Sequence, residues 1–317
     1  MLSDVAKTAQ RAGESQPDNA SSSKKRRRHE ESPEFIGKPA DRDQLTVTVS
    51  FMCIGAQKAG TTWLYEMLES IEGLGLAKQK EVHFWDWNRR KGLGWYSRQF
   101  PLKHIVGEIT PCYMALSEKH VAEIHQLFPR LKIIFVARDL VDRAWSAMTM
   151  ELRSNARGLK PGQFDIPYDQ MDTQTRSKLE RDSDPQSYTD SYFMDILRSK
   201  THCDRSDYAR ALRLWLKYFP KDQVLILKYR DISQNPRHFM KQVLAHIHPT
   251  EGDKLVNCLD QGLLQKRVNS TINTRQSIRH ELRTKMENYL SPFTKSFNEL
   301  LKELGYDWVL DAFDSNH

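Results

Sequence analysis

"LTVTVSFMCIGAQKAGTTWLYEML", residues 45–68, contains the turn on which the reading of the fold depends. Its first half is β-branched and apolar and runs into Gly55, the pattern of a buried strand entering a glycine turn. From Thr61 to Ile71, Trp63, Leu64, Met67, Leu68 and Ile71 recur at helical spacing on one face. A strand, a short loop and a helix in this order aim backbone N–H groups and the positive helix end at an anion. Gly55 and Gly60 permit the turn and a close approach of the ligand. Lys58 and Ala59 lie inside the loop, and the hydroxyls of Thr61 and Thr62 stand at the helix entry.

The pattern recurs in "FVARDLVDRAWSAM", residues 135–148. Arg138 stands where that strand ends, and Ser146 lies eight residues on, about two turns into the next helix. A guanidinium and a hydroxyl there suit a second phosphate; the competing reading of Arg138 is an ion pair with Asp139 or Asp142. Two anion sites at neighbouring strand ends imply a ligand with separated phosphates. Further strands are expected at 131–139 and 223–229. Helices are expected near 118–128, from Val141, from Tyr208, after Pro236, and around Phe293–Leu304 with a stop at Gly305. Alternating strands and helices predict an α/β fold, a P-loop-like central parallel sheet flanked by helices. The loop is not a Walker A sequence, because Thr61 rather than Lys follows the second glycine. No strand ending in a Walker B Asp is evident, which makes a P-loop kinase or NTPase the weaker alternative.

The composition, 39% hydrophobic and 28% charged over 317 residues, is that of a soluble globular protein. No apolar run approaches the roughly 18 residues of a membrane span, and the polar N-terminus reads as neither a signal nor an anchor, so a cytoplasmic protein is expected. Residues 1–44 read as a disordered tail, with residues 45–317 as one domain and the weakly periodic stretch 155–200 as an insertion or lid. The run Lys24-Lys25-Arg26-Arg27-Arg28 is either a nuclear import signal or a solvated basic stretch. The net charge of +7 is not confined to the tail, where nine Lys/Arg nearly balance eight Asp/Glu. A basic body suits anionic ligands and leaves non-catalytic nucleic-acid binding as a third alternative. Cys53, Cys112, Cys203 and Cys258 form no CxxC pair and read as reduced thiols, with a Cys203–Cys258 bridge left open. No metal site is expected.

The two anion motifs and the segments between them resemble the PAPS-dependent sulfotransferases, in particular the glycosaminoglycan branch of heparan sulfate 3-O- and N-sulfotransferases, over most of residues 50–305. The resemblance implies that Lys58 meets the bridging oxygen of the donor, 3'-phosphoadenosine-5'-phosphosulfate (PAPS), and that Arg138 and Ser146 hold its 3'-phosphate. It implies that "KEVHFWDWNRRKGLGWY" (80–96) is the acceptor segment with Glu81 as base, and that "GEITPCYM" (107–114) is the acceptor strand. The chain departs from that branch at Ile109, where those enzymes usually carry Lys. Their C-terminal disulfide loop is replaced by "QKRVNSTINTRQS" (265–277), whose Lys266, Arg267 and Asn269 are candidates to close over the nucleotide. Ile109 and the absent anchor tilt the expected acceptor towards a small soluble molecule rather than a glycan.

Sulfuryl transfer leaves the protein mainly positioning and charge stabilisation to do. Lys58 would neutralise charge on the leaving oxygen, and the N–H groups of Gly60, Thr61, Thr62 and Trp63 would hold the 5'-phosphate. For the base, Glu81 comes first, with a pKa expected to be raised by its aromatic neighbours; a surface ion pair with Lys78 or Lys80 is the bland alternative. His83 comes second, or is a packing histidine. An extended backbone over 81–84 would turn both side chains the same way. Trp85 and Trp87 are candidate stacking surfaces, Asp86 binds the acceptor or caps a turn, and Glu108 orients Lys58 or the acceptor. The expected partners are PAPS and an acceptor, with its desulfated form PAP as product.

Overall fold

The computed structural model describes residues 44–156, 173–265 and 278–310. The basic run at 24–28, the tail up to Asp43, and Lys266, Arg267 and Asn269 lie outside the described residues.

The apolar runs become strands β1 (Phe51–Gly55), β2 (Leu74–Leu76), β3 (Ile105–Ile109), β4 (Lys132–Ala137) and β5 (Val224–Lys228). They form one parallel sheet in the order β2-β3-β1-β4-β5. β1 is central, and all its residues are buried, as a strand covered on both faces requires. From β1 the chain runs outward to β2 and returns through β3. It then crosses to the other side of β1 for β4 and β5. The connections leaving β1, β3 and β4 thus part at one edge, the crevice where open α/β sheets bind ligands.

The helices are α1 (Thr61–Glu69), α2 (Gly92–Ser97), α3 (Glu118–Leu127), α4 (Leu140–Ala156), α5 (Thr173–Asp182), α6 (Asp190–Arg198), α7 (Lys200–Ser206) and α8 (Tyr208–Leu216), then α9 (Asp231–Gln234), α10 (Pro236–Ile247), α11 (Gly252–Asn257), α12 (Gln261–Gln265) and α13 (His280–Glu303). Within the stretch 155–200, α6 buries Phe193 and Leu197 fully, with Phe193 against Trp145 at 5.0 Å. The last helix begins well before the expected Phe293 because Pro292 sits inside it. A proline inside a periodic pattern reads as a boundary, and here the helix passes through it. Gly305 has φ 73°, the left-handed conformation that ends a helix at glycine. No helix among the described residues is long and apolar enough to cross a membrane. All four cysteines are free thiols, which settles the Cys203–Cys258 question against a bridge.

The β1–β3 pairing sets a local limit. Phe51 faces Gly107 in the register, and a Cβ on Gly107 would stand 2.5 Å from the Phe51 ring. Gly107→Ala is therefore expected to lose roughly 1–3 kcal/mol through overpacking. This would be read as a lower urea midpoint at unchanged slope. Combining it with Phe51→Leu should cost less than the sum of the two single changes.

Candidate active site

β1 ends at Gly55, and the chain turns through Ala56–Gly60 into α1. Ala56 N–H donates to the Val136 carbonyl of β4 (3.0 Å), which pins the loop to the sheet. Lys58 (φ 69°) and Gly60 (φ 75°) both adopt left-handed backbone. A Cβ on Gly60 would meet Ile232 at 2.4 Å and Tyr229 at 3.2 Å, so glycine is needed for both conformation and space. α1 has no side-chain cap and no acidic residue in its first turn. Among the described residues, the N–H groups of Gly60, Thr61, Thr62 and Trp63 have no protein acceptor. Trp63 can offer only its backbone, because its ring is buried against Phe239.

Two cations flank this turn without a carboxylate partner among the described residues. Burial, with Arg153 and Arg138 nearby, pulls Lys58 down to about 8. Its Nζ meets only the Met150 sulfur, at 3.5 Å. Arg138 follows β4 directly, and its Nη1 donates to the Lys58 carbonyl at 2.6 Å. Its guanidinium lies 4.6 Å from the centre of the Tyr229 ring, and its buried Nε has no partner. The acids proposed to pair with it are engaged elsewhere. Asp139 accepts from the Asp142 N–H (2.8 Å), and Asp142 accepts from Arg283 (2.9 Å). Ser146 is half-buried on α4, two turns past Arg138.

The opposite wall is built from residues 80–88. Glu81 N–H donates to the Ile109 carbonyl (3.1 Å), which lays this segment beside β3. The backbone is not extended. Glu81 (φ 62°) and His83 (φ 51°) are left-handed, and Phe84–Asn88 forms a single π-helical turn. The side chains of Glu81 and His83 nevertheless meet, with Nε2 3.4 Å from Oε2, because the two unusual backbone angles bend them together. His83 Nδ1 reaches Asp86 at 2.8 Å, and Lys80 contacts Glu81 directly. Glu81 thus forms the ion pair with Lys80 that the sequence offered as the alternative to a base, and it also meets His83.

The electrostatics reverse one expectation. Burial pushes Glu81 up, but His83 and Lys80 outweigh it and hold the carboxyl at about 2. Burial pushes His83 down, but Asp86 and Glu81 win and raise it to about 9. His83 is then an imidazolium at neutral pH, and so not a base in this state. Glu81 is an ionised, stabilised acceptor of protons rather than a carboxyl of raised pKa.

The tryptophans separate. Trp85 is fully buried among Phe84, Tyr96 and Arg89 and is closed to any ligand, which corrects its assignment as a stacking surface. Trp87 is 56% exposed and lies flat on His83, 3.8 Å away and 8° from parallel.

Glu108 reaches neither Lys58 nor the open cleft. It is 1% exposed and accepts from Tyr96, Thr110 (2.8 Å) and Tyr113 (3.1 Å). Tyr113 in turn accepts from the N–H groups of Phe84 (2.8 Å) and Trp85 (3.4 Å), so Glu108 anchors the π-helical turn from below. Burial outweighs these hydroxyls and raises its pKa to about 7.

Sequence reasoning missed three contributors. Arg205 of α7 donates to Gln57 of the donor-side loop (2.9 Å) and to the Cys112 sulfur (3.6 Å). Burial raises the Cys112 thiol to about 11. Cys112 also brings a third potential ligand atom within 4.8 Å of those of His83 and Asp86. No local pattern marks these residues, because they meet only through long-range packing.

A family model described as "Sulfotransferase domain" matches residues 49–305. Mouse "Heparan sulfate glucosamine 3-O-sulfotransferase 5" is 29% identical over 180 residues, covering 55% of this chain and 46% of that protein. "Membrane-associated sulfotransferase kil1" of Dictyostelium discoideum is 20% identical over 330 residues, covering 82% and 66%. The chain therefore spans about half the length of the first of these relatives. A solved sulfotransferase from Alicyclobacillus acidocaldarius shares the fold, with TM-score 0.53 and 17% identity over 83% of this chain and 98% of that one.

The Glu108 network yields a test. Its carboxyl, ordinarily at 4.5, sits at about 7 in the folded protein, so the folded state binds more protons between these values. Its contribution to stability therefore falls as pH rises from 4.5 to 7. The stability difference between wild type and Glu108→Gln, from urea unfolding at several pH values, is expected to decline across that window. Glu108→Ala, which leaves three hydroxyls short of an acceptor, should cost at least about 1–3 kcal/mol.

Proposed function

Because this chain belongs to the sulfotransferase family, we propose that it transfers the sulfuryl group of PAPS to a hydroxyl of a carbohydrate acceptor and releases PAP. The observation that carries this reading is the donor-side turn. Among the described residues, free N–H groups at the start of α1, a lysine without a counter-ion and an arginine with an unpaired Nε stand at the ends of the adjacent strands β1 and β4. Such a set fits an anion of high charge and leaves an apo cleft short of negative groups.

In this reading the N–H groups of Gly60–Trp63 and the hydroxyls of Thr61 and Thr62 hold the 5'-phosphate. Arg138 and Ser146 hold the 3'-phosphate. Arg138 also fixes the Lys58 carbonyl, so the two anion sites are mechanically tied. Lys58 Nζ faces the bridging oxygen and stabilises the charge that grows there as the S–O bond breaks. The S–O bond to the acceptor forms in line with it, and the acceptor proton passes to Glu81. Glu81 becomes a stronger base as the incoming hydroxyl displaces Lys80 or His83 from its oxygens, which lifts the pKa that those cations depress. His83 and Asp86 orient Glu81.

For the acceptor, Ile109 argues for a small molecule, whereas the names of the relatives support a glycan hydroxyl. The glycan is the better supported reading, because several relatives carry that name.

Three outcomes are expected. PAP should raise the melting temperature without Mg²⁺. No shift at millimolar PAP would end the proposal. Lys58→Ala should abolish transfer, and Glu81→Gln should slow it by roughly 10²–10⁴-fold while the PAP shift persists. With Lys58 at about 8, PAP affinity measured by calorimetry should weaken as pH rises past 8, because the lysine loses its charge. That decline should disappear in Lys58→Arg, whose guanidinium stays charged.

A further inference from the structure

We infer that Trp87 is a stacking platform for one ring of the acceptor, held beside Glu81 by its parallel contact with His83. This rests on the carbohydrate reading above and adds a residue that sets acceptor affinity.

The neighbouring aromatics Phe84 and Trp85 are fully buried, whereas Trp87 is 56% exposed. The turn that buries the first two is what turns the third outward. The indole is held in place on its inner side. Its N–H backbone group donates to the His83 carbonyl (3.1 Å) and to Asp86 Oδ1 (3.0 Å), and its ring covers the imidazole at 3.8 Å. A charged imidazole under an indole face is an attractive pairing. The outer face is open, and its plane is fixed before any ligand arrives, so little order is lost on stacking.

The surroundings select the ligand. Glu81 and Asp86 hold the two nitrogens of the imidazole that this ring covers, and Lys80 pairs with Glu81. A purely apolar partner would leave them poorly solvated. A pyranose matches, with C–H groups on one face for the indole and hydroxyls around its edge for the carboxylates. The acceptor hydroxyl would then project from the stacked ring, or from the sugar next to it, towards Glu81. His83 holds Trp87 on its ring face and Glu81 at its Nε2 edge, so a ring settled on Trp87 takes a fixed position relative to the base.

The test uses the full chain saturated with PAP and an N-sulfated glucosamine–hexuronate hexasaccharide as probe. Calorimetry gives its Kd, and labelled PAPS in place of PAP gives initial rates. Trp87→Ala is expected to raise Kd and KM for the hexasaccharide about tenfold. Trp87→Phe, which keeps a ring, should stay within about threefold. The PAP thermal shift should be the same in all three proteins, which shows that the variants are folded. A Trp87→Ala protein with wild-type Kd and KM would overturn the inference while leaving the carbohydrate reading intact. A wild-type protein that takes up PAP but does not bind the hexasaccharide would remove the carbohydrate reading, and this inference with it. If 2-naphthol transfer depended on Trp87 and hexasaccharide transfer did not, the platform would serve flat aromatics and the assignment to sugars would fall.

Discussion

Positive charge held at the mouth of β1 without a protein counter-charge is the constraint from which the rest of the site follows. Lys58 sits half-buried in a left-handed turn with only a methionine sulfur at its Nζ. Arg138 spends one N–H on the Lys58 carbonyl and keeps Nε unpaired. Desolvating cations without acids is costly, and burial already pulls the Lys58 pKa down. The fold tolerates this because the nearby acids are committed: Asp139 to the start of α4 and Asp142 to Arg283. A chain arranged in this way gains electrostatically when an anion arrives.

The wall built from residues 80–88 solves the opposite problem. There the carboxylates Glu81 and Asp86 are abundant, and the structure satisfies them with Lys80 and His83. Their placement depends on a backbone that is costly to hold, with two non-glycine residues in the left-handed region on either side of Val82. The cost is offset from beneath. Glu108, Tyr113 and Thr110 form a buried polar cluster whose phenol accepts the N–H groups that open the π-helical turn. Arg205, from a helix far along the chain, bridges Gln57 of the turn after β1 and Cys112 of the segment after β3.

Both strand–turn–helix units were legible because a buried strand running into an amphipathic helix is a local pattern, and locality survives in one dimension. The start of the last helix was less legible than its end, since Pro292 imitates a boundary. Trp85 and Trp87 look alike in sequence and differ completely in exposure, because a one-turn π-helix does not follow the spacing of either a strand or an α-helix. Glu81 and His83 were expected to point the same way through extended backbone; the backbone is bent instead, and their side chains meet.

The sequence by itself determined the α/β alternation, the position of the phosphate-type turn and the identity of Lys58 and Arg138 as its cations. Each of these is encoded in periodicity, glycine placement or residue type over a short stretch. Tertiary structure alone decided the protonation states of Glu81 and His83, the burial of Glu108 and Trp85, and the entry of Arg205 and Cys112 into the cleft. Those properties depend on desolvation and on charges brought together across the chain, and neither quantity exists until the sheet has closed around β1.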